Sequence, residues 1–543
     1  MSPASDPTGG STVVLDGSPL SVTDVVAVAR HGASVTMTPR AAERMAPARA
    51  VVERIVAEGA SVYGVTTGFG ALAAVKVSPA EARRLQRSLV LSHAAGMGDL
   101  VEAEVVRAMI LLRARTLAAG LSGARPELAE ALVGLLAANV VPVVPELGSL
   151  GASGDLAPLA HVGAVLIGEG EVLDADGRRR PGADGLAAAG LEPVVLEAKE
   201  GLALLNGTEG MLAHLCLALA DLDRLAATAD VACAITVEAL LGTDATYRPE
   251  LHSIRPHPGQ QRSADNLSRL LAGSEIVASH GPSDHAVQDA YSLRCAPQVH
   301  GASRDVIAFA RSVVERELAS VTDNPVVLPA AAGEGPGGSG VSPGGEVAST
   351  GNFHGQPLAF AADFCAIALA DLAAISERRT DRLLDPARSQ GLPAFLAVEA
   401  GINSGFMLAH YTAAAAVNRL RTHATPASID SISTSGGQED HVSMGWNGCR
   451  KLRTSIEDAG RVLAIEVLCA AQALELRREG SGSFGPGIGH PESGLRPSPE
   501  TEAVISRLRA EVAALPTDRF LAPDLAAAEE LVRSGALLPD WID

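Results

Sequence analysis

The residues best suited to chemistry lie in Gly148-Ser149-Leu150-Gly151-Ala152-Ser153-Gly154-Asp155-Leu156-Ala157-Pro158. A serine-hydrolase elbow would need glycine at position 155, where this chain has Asp155, and a phosphate loop would need a Gly-Lys-Ser/Thr ending. The plain structural alternative is a small-residue turn entering a helix capped by Asp155. A chemical alternative uses the backbone itself. With side chains this small, the Gly154 nitrogen can fold onto the Ala152 carbonyl, and loss of water from Ser153 then leaves a methylidene electrophile.

Gly151 to Leu159 resembles the signature of the aromatic amino acid ammonia-lyases and aminomutases, and the resemblance runs from about Val13 to about Leu531. It implies a 4-methylidene-imidazol-5-one (MIO) group formed from Ala152, Ser153 and Gly154, with no external cofactor. Tyr63, in Tyr63-Gly64-Val65-Thr66-Thr67-Gly68-Phe69-Gly70, then corresponds to the base that removes the β-proton. Taken alone, Gly68-Phe69-Gly70 is a weak imitation of a dinucleotide loop. Asn206, in a polar break after Leu202-Ala203-Leu204-Leu205, is implied to lie beside the MIO ring. Arg294 is implied to grip the substrate carboxylate, Gln288 to hydrogen-bond near it, Tyr291 to sit by the departing amine, and Phe353 to pack on the ring.

Two stretches bear on the substrate. Ser92-His93 resembles histidine ammonia-lyases, although some tyrosine aminomutases keep such a pair. Gln438-Glu439-Asp440-His441 puts a carboxylate where lyases of phenyl or phenol side chains tend to carry an amide. A carboxylate suits an imidazole, which donates hydrogen bonds, and would lack a partner against a phenyl ring. His93 and Glu439 are therefore expected to bind the side chain, and the reaction implied is deamination of L-histidine to trans-urocanate and ammonia. A 2,3-aminomutase, a tyrosine or phenylalanine lyase, and a catalytically silent helical scaffold are the alternatives. Arg419 replaces an acidic residue usual in histidine lyases, and Gly436-Gly437 replace bulkier ones, so both are expected to bear on substrate preference or local flexibility.

These residues need a frame. The chain has 543 residues, too many for one ordinary core. It contains only 9 Phe, 4 Tyr and 2 Trp, so the core must be Ala, Leu and Val, a composition that favours close-packed helices. The expected fold is mainly α: a long-helix bundle core with a smaller mixed N-terminal domain, which the resemblance implies is the helical lyase architecture of the fumarase/aspartase kind. Expected divisions are a disordered tail at 1–12, an N-terminal domain at 13–200 and a helical bundle at 201–543. Loop insertions are expected near 330–345 and 480–499.

A net charge of -20 argues against nucleic acid. The six cysteines show no CxxC spacing, and His280 with His285 or His252 with His257 lacks a ligand constellation, so no metal is expected. Neither a signal peptide nor a membrane span is expected, which points to a cytoplasmic protein; a small-molecule amino acid substrate is what the resemblance implies. The resemblance adds a homotetramer with shared active sites.

Overall fold

The computed structural model describes residues 12–62, 64–67, 81–174, 176–280, 287–330, 344–479 and 494–542. Tyr63 lies outside them, as do the 1–11 tail and most of the two expected insertions. The described chain is predominantly helical, as its Ala/Leu-rich composition predicts, with short two- and three-stranded sheets. It divides into two compact units.

The first unit comprises residues up to Leu217, Arg311–Ala362 and Pro426–Arg450. Its centre is the helix Ala103–Ala118, whose Ala, Leu and Met are strong helix formers. From Ala108 onward every residue of that helix is buried, including Arg113 and Arg115. Helices Val22–His31 and Pro126–Ala137 pack against it. Strands Met97–Leu100 and Pro145–Leu147 pair antiparallel, leading the chain into the Gly148 stretch.

Helix Ala82–His93 places Ala82, Gln86, Leu89 and Val90 on one buried face at helical spacing, and His93 falls four residues after Leu89 on that face. Gln86 is fully buried, and its Oε1 accepts from the Gly201 amide at 2.8 Å, at the first turn of helix Glu200–Leu205. The amide thus ties the helix ending in His93 to the one leading into Asn206.

The second unit comprises Ala218–Ala310, Asp363–Thr425 and the chain from Lys451. Its buried ion pairs are densely satisfied. Arg379 is fully buried and pairs with Glu466, which also accepts from Thr236 Oγ1 at 2.9 Å and Ser376 Oγ at 2.6 Å. Burial pushes Asp230 up, but Arg304, His300 and Asn266 outweigh it and hold its carboxyl below the ordinary value.

The long helices Glu209–Ala239, Ala296–Leu318, Gln356–Leu384 and Gly445–Glu479 each contribute residues to both units. Gln356–Leu384 is long and apolar enough to cross a membrane by length and composition, and 61% of its most apolar window is buried inside the protein. Burial of that kind is what the core helix of a helical bundle shows.

Candidate active site

Ser153 is gripped at both its polar ends. Its carbonyl accepts a hydrogen bond from Asn206 Nδ2 at 2.7 Å, and its hydroxyl donates to Glu439 Oε1 at 2.9 Å. Three distant stretches of sequence therefore meet at one residue. Asn206 is placed there by the end of helix Glu200–Leu205, and the Asp155 amide donates to the Gly207 carbonyl at 2.8 Å just behind it.

Backbone contact this close demands glycine. Gly154 has φ +72°, and a Cβ there would collide with the Gly207 carbonyl oxygen. The Gly151 carbonyl accepts from Ser443 Oγ at 2.8 Å and from the Gly355 amide at 3.0 Å. The Met444 amide closes the same loop on the Leu150 carbonyl at 2.8 Å. Phe353, half-buried, lies two residues before Gly355, so its loop is held on the tripeptide segment.

Asp155 does not act as the helix cap of the plain structural alternative. It occupies the position before helix Leu156–Leu166 but makes no side-chain cap there. Its Oδ2 instead accepts from the Met211 amide at 2.8 Å, capping the first turn of helix Glu209–Ala239, and its Oδ1 accepts from Ser149 Oγ at 2.8 Å. Complete burial pushes this carboxyl up to about 7, against the pull of those two hydrogen bonds.

Glu439 is set by a tight turn. Thr434 and Glu439 pair backbone to backbone, and Thr434 Oγ1 donates to Glu439 Oε2 at 3.0 Å. Ser435, Gly436 and Gly437 all have positive φ, a conformation that suits the two glycines standing where bulkier residues are common. Glu439's charge also acts on His93. Burial depresses the His93 pKa, and its Nδ1 lies 2.9 Å from the Leu89 carbonyl. A carbonyl can only accept, so Nδ1 carries the proton and Nε2 of the neutral ring is an acceptor.

Gln288, Tyr291 and Arg294 belong to the second unit. Arg294 donates to Gln288 Oε1, and Tyr291 is 76% exposed. Their segment is anchored from below: Tyr247, fully buried, donates to the Leu293 carbonyl at 2.9 Å, and Arg379 donates to the Ser292 carbonyl at 3.3 Å. Arg419, also of this unit, is engaged by Asp458 on helix Gly445–Glu479. The ring nitrogens of His252 are taken by the Thr246 carbonyl and by Gln260, each at 3.0 Å, and His285 lies outside the described residues.

A family model described as aromatic amino acid lyase matches residues 20–510. The chain belongs to the aromatic amino acid lyase family. It is 53% identical over 528 residues to the histidine ammonia-lyase of Streptomyces griseus, spanning 97% of this chain and 98% of that protein. Among solved structures, histidine ammonia-lyase from Trypanosoma cruzi is similar with a TM-score of 0.85 and 39% identity, over 97% and 96% of the two chains. Tyrosine aminomutase from Streptomyces globisporus is similar with a TM-score of 0.87 and 36% identity, over 97% of each. The expected helical lyase fold is thus met by this aromatic amino acid lyase.

Several of its structural residues were not singled out from sequence. Ser443 and Met444 lie just beyond the Gln438 stretch and drew no task, and Ser149 stood in the Gly148 stretch without one. Gln86, Thr434 and Tyr247 carried no local signal, since each acts through a partner far away or on the backbone.

Proposed function

We propose that this aromatic amino acid lyase deaminates L-histidine to trans-urocanate and ammonia. It is a carbon–nitrogen lyase acting on a small amino acid. The observation that carries the histidine reading is Glu439, hydrogen-bonded to Ser153 and electrostatically felt by His93. An imidazolium offers two N–H donors, and the site offers two acceptors, the Glu439 carboxylate and His93 Nε2. A phenyl ring offers no donor and would leave the carboxylate unpartnered.

Ala152, Ser153 and Gly154 fit the MIO group of this family. The fit rests on the left-handed Gly154, the absence of room for any Cβ there, and the Asn206 amide on the Ser153 carbonyl. When formed, the group supplies an electrophile for the substrate amine. Asn206 polarises its carbonyl, while Phe353 packs nearby. Arg294 and Gln288 bind the carboxylate, Tyr291 stands by the amine, and His93 with Glu439 orients the imidazole. Tyr63 removes the β-proton, which positioning alone would not make labile. A homotetramer with shared active sites and a cytoplasmic location complete the proposal.

The test is near-ultraviolet absorbance of the purified protein given L-histidine, L-tyrosine or L-phenylalanine. Urocanate from histidine alone is the expected result. Cinnamate or coumarate would overturn the histidine reading, and a β-amino acid product would favour the aminomutase alternative, which the likeness to tyrosine aminomutase keeps in view.

A further inference from the structure

The hydroxyl that Ser153 donates to Glu439 is the one that must leave if the tripeptide is to become the MIO group. Glu439 meets it with one oxygen while Thr434 holds the other, and the Thr434–Glu439 backbone pairing fixes the carboxylate's stem. On the far side of Ser153, the Asn206 amide draws electron density from the carbonyl at 2.7 Å, which acidifies the adjacent Cα–H. A group that draws density on one flank and a carboxylate seated on the leaving oxygen, able to relay a proton to it, are the two aids a β-elimination needs.

We propose that Glu439 has a task earlier than substrate binding: it delivers the proton with which the Ser153 hydroxyl departs as the group matures. The inference rests on the reading that Ala152, Ser153 and Gly154 cyclise. In the step, the Ser153 Cα–H gives its proton to solvent water and the Cα–Cβ double bond forms. The Cβ–Oγ bond breaks, and Oγ leaves as water with a proton that the Glu439 carboxylate draws from solvent and relays across their contact. The proton released from Cα replaces the one drawn from solvent, so no oxidant or co-reactant is consumed. Once the hydroxyl has gone, Glu439 Oε1 loses its partner and is free to accept from a substrate side chain. One carboxylate thus serves maturation first and recognition afterwards.

The test is intact mass of the full-length chain at timed intervals after cell-free synthesis, for wild type, Glu439→Gln, Glu439→Ala and Thr434→Val. Wild type is expected to lose two waters. Both Glu439 variants are expected to fold, by circular dichroism, yet to lose the Ser153 water ~100-fold more slowly, the scale of a missing general acid. Thr434→Val leaves the carboxylate in place but unheld, so it covers the case in which the Glu439 variants do not fold, and it too is expected to mature slowly. Glu439→Gln and Glu439→Ala losing both waters at the wild-type rate would overturn the proposal and leave the MIO reading standing; for unfolded Glu439 variants, a wild-type rate in Thr434→Val would do the same. A wild-type chain that loses no water would instead overturn the reading beneath it.

Discussion

Arg113 Nη1 donates to the Asn206 carbonyl at 3.0 Å, so the residue whose side chain reaches Ser153 is held from behind by a buried guanidinium. The same guanidinium pairs with Glu209 at 2.9 Å, with both side chains almost wholly buried. Glu209 accepts in turn from Thr116 Oγ1 at 2.8 Å.

Arg113→Met should therefore cost ~3–5 kcal/mol, the penalty for stranding a buried carboxylate. Arg113→Met combined with Glu209→Leu should recover much of that stability but not the activity, because the Asn206 carbonyl still lacks its donor. Denaturant unfolding and kcat of the single and double variants separate the two effects.

Neutral His93 predicts a titration below the ordinary histidine value of 6.5, because burial disfavours its charged form. Glu439 works against that burial, so Glu439→Gln should lower the His93 pKa further. Selective histidine labelling and NMR titration, with His93→Gln to assign the signal, would check the order. Loss of the acceptor in His93→Ala should reduce kcat/KM for histidine ~10–100-fold, the range for a hydrogen bond to a charged group.

Stability should also depend on Glu238, which accepts from the Ser498 amide at 2.7 Å and from Thr501 Oγ1 at 2.6 Å, at the first turn of helix Pro499–Glu511. Burial raises its carboxyl from 4.5 to about 7. The folded state then binds the proton more tightly than the unfolded one, so this contribution is full below pH 4.5 and is lost as pH rises through about 7. Glu238→Gln should flatten that part of the Tm-against-pH curve; an unchanged slope would show the carboxyl titrating normally.

Arg419→Gln should leave substrate preference unchanged and cost only ~0–1 kcal/mol. The arginine is 52% exposed, and the buried Asp458 it pairs with keeps Arg461 at 2.9 Å. Ratios of kcat/KM for the three aromatic amino acids would reveal any role in selectivity.

The assembly around Ser153 was largely legible because its parts sit in compact motifs: the tripeptide, Asn206 after an apolar run, Glu439 between Gln438 and Asp440. What escaped was pairing over long separations. Asp155 reads as the cap of the helix it precedes, yet it caps one beginning more than fifty residues later. Arg113 sits in an apolar helix, where a charge signals a buried partner, but nothing local identifies Glu209 as that partner. Arg419 stood out by comparison with histidine lyases, whereas its environment is an ion pair with Asp458. The long helices were visible from composition, and the break at Asn206 from its polarity.

The turn from Thr434 to Glu439 closes on itself, whereas Ser443 and Met444, just beyond it, hold the Gly151 and Leu150 carbonyls. Its tip of Ser435, Gly436 and Gly437 is exposed. Changes at that tip can swing the carboxylate without loosening the grip on the tripeptide segment. For an engineer or for evolution, this makes the turn a replaceable cassette: new residues can be tried there while the backbone around Ser153 stays intact.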